Sequence, residues 1–139
     1  MENTLAKRVI VLLAATSALG PTAMQILLPA IPVIKETFEV SAEVAQLTLS
    51  LSMLAIAIGT LTYGPLSDQF GRRPVMILGL CITIIGSLFC FFASTIEMLI
   101  AGRIIQAFGG AVGLVLARAI VRDVYGPEQA ARVIATLVM

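Results

Sequence analysis

Gly64-Pro65-Leu66-Ser67-Asp68-Gln69-Phe70-Gly71-Arg72-Arg73-Pro74 is the stretch whose reading decides the fold. Before it, no charged side chain occurs between Glu43 and Asp68; after it, none occurs between Arg73 and Glu97. Each gap is longer than about 20 residues, enough for a helix rising about 1.5 Å per residue to cross roughly 30 Å of hydrocarbon. The stretch is therefore a short charged turn between two membrane spans. Gly71 permits a tight reversal, and Pro74 suits the first turn of the following helix. Asp68 stands at the wrong pole of its helix dipole. It calls for a cation such as Arg72, four residues on, or one from another segment.

Working outward, a third charge-free gap between Arg8 and Lys35 holds a first span. A fourth, interrupted by Arg103 and closed by Arg118, follows Glu97. The expected spans are 9–33, 44–67, 74–96 and 98–121, with the start of a fifth helix over 131–139. That last piece reaches only about 13 Å as a helix and cannot cross alone. The chain ends inside this fresh apolar run, so residues 1–139 read as a truncated polypeptide. The fold class is all-α membrane protein.

A secretory signal is an alternative for the first segment, because Lys7 and Arg8 precede an apolar run with Ala14, Ala15, Ser17 and Ala18. A signal core is only about 7–15 residues long, and three more spans follow, which favours a span. Pro21, Pro29 and Pro32 imply bends or a broken end, tolerated where neighbours or water satisfy the freed carbonyls.

Composition narrows the function. Of 139 residues, 59% are apolar and 12% charged, against roughly 45–50% and 25% in soluble domains. With no His, neither histidine catalysis nor a serine/histidine triad can be built. No Gly-rich phosphate loop with Lys and no metal-ligand cluster is present either, so we expect no enzyme, no cofactor and no metal. The net charge is +1 and the nine Lys and Arg are scattered, so nucleic acid is not an expected partner. Cys81 and Cys90 would sit about 13 Å apart on opposite helix faces, too far to bond.

Basic residues also orient the chain. Lys7, Arg8, Arg72, Arg73, Arg118, Arg122 and Arg132 would share one side, against Lys35 alone on the other, which makes the amino terminus cytoplasmic. The expected location is the cytoplasmic membrane, as a multi-pass protein. Small residues mark packing faces, since helices in lipid associate by close backbone approach. Ser52, Ala55, Gly59 and Thr62 share a face of the second span; Gly102, Gly109, Gly110 and Gly113 crowd the fourth. Tight packing and moving surfaces both account for such glycines. Arg103, Gln106, Gly110, Gly113 and Ala117 fall within roughly 80° of one another at about 100° per residue, one narrow polar and small face.

The charged turn resembles the signature G-x-L-x-D-x-x-G-R-[RK] of the major facilitator superfamily, with Gly64, Leu66, Asp68, Gly71, Arg72 and Arg73 in order. Arg103, Gln106, Gly109, Gly110 and Gly113 match the family's R-x-x-Q-G-x-G in part, with Gly110 four residues after Gln106. Ala18-Leu19-Gly20-Pro21 and Leu28-Pro29-Ala30-Ile31-Pro32 resemble the drug/proton antiporter branch of bicyclomycin-resistance type. The resemblance implies part of the six-helix amino-terminal half of a twelve-helix transporter. It implies a cytoplasmic gate at the turn, for which Asp123 is a plausible further partner of Arg72.

The resemblance further implies proton-coupled efflux of small amphipathic drugs by alternating access, with Arg103 as a cavity charge sensing proton or substrate. Gln106 would bond in the cavity, and Met24, Gln25 and Leu28 would contact substrate. Two other readings stay open. Arg103 can snorkel to the outer end near Glu97, and Gln106 can simply bond a neighbouring helix. Relatives of this type often carry an aspartate where Gln25 stands, and Gln25 cannot titrate. The proton carrier is then Asp68, Glu97, Asp123 or a group in the missing remainder of the transporter. The expected partners are a small-molecule substrate, protons, the lipid bilayer and that remainder. A partner-dependent membrane fragment or scaffold with no transport of its own is the alternative.

Overall fold

The computed structural model describes the backbone of 2–138 and the side chains of 12, 14–18, 21–23, 25, 26 and 28–123. Four helices follow in order: α1 Glu2–Thr37, α2 Ala42–Phe70, α3 Arg72–Phe91 and α4 Ile96–Val138. The expected beginning of a fifth helix at 131–139 is not separate: through residue 138 the backbone continues α4 without a break, and the side chains there lie outside the described residues.

The helix ends follow local chemistry. Ser41 caps α2, its hydroxyl accepting from Val44 N at 3.4 Å, and Glu43 in the first turn suits the dipole. Thr95 does the same for α4, accepting from Met98 N at 3.3 Å, with Glu97 in the first turn. Gly71 alone separates α2 from α3, at φ 91° and ψ 156°. Side chains rarely adopt that conformation, so the charged turn depends on glycine at this point. α3 stops at Phe91, short of the expected 96, where Ala93 N turns back to Cys90 O at 3.4 Å.

α2, α3 and the Ile96–Asp123 part of α4 are long and apolar enough to cross a membrane. The arms Ala14–Ala23 and Leu28–Thr37 of α1, bent by 45°, make a fourth if counted as one span. Pro29 lacks an N–H and its ring crowds the carbonyl of residue 25, which accounts for a bend between the arms. Large apolar side chains such as Leu61, Ile84 and Phe91 stand exposed on the outer faces, as lipid contact requires.

α4 is the central helix, packed against each of the other three. Near one end of the bundle, Ala111, Val112 and Leu116 of α4 close on Tyr63 of α2 and Val75 of α3. Near the other, Ile34, Ala45, Ile96 and Leu99 form a second cluster. On α2 the buried face runs through Ala45, Thr48, Ser52, Ala55, Gly59, Tyr63 and Ser67. Thr62, expected on that face, is exposed and donates to its own helix, at 3.0 Å to Ile58 O. At about 100° per residue, Tyr63 lies nearer the centre of the buried stripe than Thr62 does.

Candidate gating and transport site

The charged turn places the end of α2, the start of α3 and a turn within α4 around one guanidinium. Arg72, at the start of α3, reaches Asp68 in the last turn of α2 at 2.7 Å. Its Nε donates to Asp123 Oδ2 on α4 at 3.0 Å. Its Nη1 also donates to Ser67 Oγ at 2.5 Å, and that buried hydroxyl donates to Gly64 O at 2.9 Å. The Asp68 and Asp123 side chains are 63% and 49% exposed against 25% for Arg72, so a half-covered cation holds two wet carboxylates. The two acids would otherwise repel each other, and Asp68, in the last turn of α2, would oppose its helix dipole. Arg73 points outward, Leu66 is half-buried, and a Cβ on Gly64 would meet nothing within 4 Å.

Deeper in the bundle a second polar group forms between α3 and α4. Arg103 Nη1 donates to Gln106 Oε1 at 3.0 Å, and Gln106 Nε2 donates to Ser87 Oγ at 2.8 Å. Gln106 thus bonds both its own helix and the neighbouring one. Arg103 is half-buried and turned toward Gln106, whereas Glu97 is exposed, and among the described residues no carboxylate forms an ion pair with Arg103. Its Nε is buried with no hydrogen-bond partner among the described residues. Such a group in the membrane is costly.

Glycines bring these helices together. A Cβ on Gly59 would lie 2.8 Å from the Ala111 Cβ; one on Gly109 would lie 2.7 Å from Gly79 O. Gly113 faces the backbone of Thr16 on α1, and Gly110 is buried in the same stretch. Gln25 and Leu28 are exposed on α1, and no hydrogen bond joins Gln25 to Arg103 or Gln106 among the described residues. The side chain of Met24 lies outside the described residues.

Ser67 and Ser87 went unnoticed in the sequence, as did the glycines of α3. The signal for α3 was present: Gly79, Thr83, Gly86 and Cys90 recur at steps of four and three, a small face on one helix. Ser67 had no such pattern, since one serine inside a charged turn reads as solvated.

Known proteins resemble the chain along most of its length. An uncharacterized transporter of Rickettsia bellii is 43% identical over 119 residues, covering 86% of this chain and 30% of its own length. The multidrug resistance protein D of Escherichia coli is 35% identical over 112 residues, covering 81% and 28%. A bicyclomycin resistance protein homolog of Haemophilus influenzae is 32% identical over 130 residues, covering 94% and 33%. The chain thus spans roughly a third or less of the length of these curated relatives. No solved structure matches it. The family model described as Major Facilitator Superfamily matches residues 13–139, and so takes in most of α1, all of α2, α3 and α4, and both polar clusters. On that match the chain belongs to the Major Facilitator Superfamily, a multi-pass membrane protein of a transporter family and not an enzyme.

Proposed function

We propose that the chain works, with further helices, as a proton-coupled exporter of small amphipathic compounds by alternating access in the cytoplasmic membrane. Its amino terminus is cytoplasmic in this reading, and the arrangement is twelve-helical. The observation that carries the reading is Arg72 joined to both Asp68 and Asp123, which ties the end of α2 and the start of α3 to α4 on one side of the bundle. Exposed ion pairs are worth only about 0.2–1 kcal/mol each, so binding of substrate or a proton is enough to release such a latch.

Arg103 and Gln106 supply the polar wall of the central site, and Met24, Gln25 and Leu28 its substrate contacts. Gly59, Gly109, Gly110 and Gly113 provide the close helix surfaces that rock as bodies. The proton is carried at one of the acids Asp68, Glu97 or Asp123, or on the further helices. The printed names of relatives support the substrate class: a chloramphenicol resistance protein of Pseudomonas aeruginosa joins the bicyclomycin and multidrug proteins above.

The test is accumulation of a fluorescent amphipathic cation in everted membrane vesicles with an acid interior. Accumulation abolished by a protonophore is expected. Accumulation indifferent to the protonophore overturns proton coupling, and failure to move any amphipathic compound overturns export.

A further inference from the structure

The bonds from α3 to Arg103 run in one direction only. A guanidinium carries donors and no acceptor, so the end of the Gln106 amide that faces Arg103 must be its oxygen, as found at 3.0 Å. The other end is then Nε2, which donates to Ser87 Oγ at 2.8 Å. Ser87 can accept because its own proton is committed one turn back, to Thr83 O at 2.8 Å. Each link fixes the polarity of the next, from a backbone carbonyl of α3 to a charge on α4.

Arg103 has little else to hold it. Its Nε is buried without a hydrogen-bond partner, and it forms no ion pair, among the described residues. The distance that makes the chain possible is set by Gly86, next to Ser87, where a Cβ would lie 2.9 Å from Gln106 Cβ and closer still to its backbone.

We propose that Ser87 is a positioning residue for Arg103: its hydroxyl, acting through the Gln106 amide, sets the direction of the intramembrane guanidinium. The consequence for transport rests on the reading of Arg103 as the charge that senses proton or substrate. Without the hydroxyl, the amide either leaves its NH2 buried and unpaired or rotates and turns the NH2 toward the guanidinium. Both weaken the bond that aims Arg103.

The test uses Ser87→Ala, Ser87→Thr, Gln106→Glu and the pair Ser87→Ala with Gln106→Glu. The protein is labelled with 15N-arginine in lipid nanodiscs, and Arg103→Lys assigns the Arg103 signal. The readout is water exchange of the Arg103 Nε proton, together with the KM and kcat of transport. Ser87→Ala is expected to speed the exchange about fivefold, the ratio one net hydrogen bond is worth, and to lower kcat more than it raises KM. Ser87→Thr keeps the hydroxyl and should stay near wild type.

In Gln106→Glu a carboxylate accepts at either end, so its orientation no longer needs Ser87 and adding Ser87→Ala should change nothing. Unchanged exchange in Ser87→Ala overturns the proposal, as does an equal effect of Ser87→Ala in the Gln106→Glu background. The second comparison decides the matter even if Ser87→Thr does not fold. If the exchange pattern holds while Arg103→Lys transports normally, the positioning stands and the sensing role of Arg103 fails.

Discussion

Arg72 and Asp123 stand 51 residues apart in the chain and meet at 3.0 Å, the start of α3 against α4. The same guanidinium holds Asp68 at 2.7 Å, so one cation is shared by two acids from two other helices. The coupling of Arg72 and Asp123 should therefore be measurable but small. A double-mutant cycle with Arg72→Ala and Asp123→Ala, read by unfolding in mild detergent, is expected to give about 0.5–1 kcal/mol. Both carboxylates are wet, so raising the salt toward 1 M should shrink that value. A coupling near zero at low salt would remove the latch from the account.

Asp68→Asn should slow cycling more than it weakens binding. The amide keeps the shape but loses the charge that Arg72 grips at 2.7 Å. We expect about a tenfold fall in kcat, roughly 1.4 kcal/mol of barrier, with KM little changed. Initial-rate transport kinetics check this, and a parallel loss of affinity and turnover would place Asp68 at the substrate instead.

Two glycines of different surroundings should answer alanine in opposite ways. A Cβ on Gly86 collides with Gln106, so Gly86→Ala should force α3 from α4 and cost about 1–3 kcal/mol. A Cβ on Gly64 meets nothing within 4 Å, and inside α2 alanine should be neutral or better by up to about 1 kcal/mol. Thermal unfolding of the two variants side by side makes the comparison.

Tyr63→Phe should not destabilise the bundle. The ring is 1% exposed and packs on Phe108 with centroids 5.2 Å apart, while its hydroxyl is buried with no hydrogen-bond partner among the described residues. Removing an unpaired buried hydroxyl is expected to gain up to about 1–3 kcal/mol. A clear loss of stability on unfolding would show that the hydroxyl has a partner.

Charge placement made much of this legible. The charge-free gaps mark the apolar stretches of α2 and α3, and the spacing of Asp68 and Arg72 pointed to their ion pair. Asp123 could be named as a partner because it closes an apolar run on the same side as the turn. Other features depend on rotation about a helix axis, which composition does not carry. Thr62 and Tyr63 are neighbours in sequence, yet the buried stripe of α2 takes Tyr63 and leaves Thr62 outside. Ser87 became visible only when Gly86 let α4 approach, since a hydroxyl's worth depends on which amide reaches it. The substrate contacts expected at Gln25 and Leu28 are of the same kind: both are exposed on α1, and no pattern in the residues specifies what they face.

The central claim is exchange of a proton for a substrate through a gate at the Asp68–Arg72 turn. Its most direct test adds an amphipathic substrate to acid-loaded everted vesicles and follows proton release into the medium with a pH dye. The account predicts release that begins with substrate uptake and is about tenfold slower in Asp68→Asn. Substrate uptake with no accompanying proton release would contradict it.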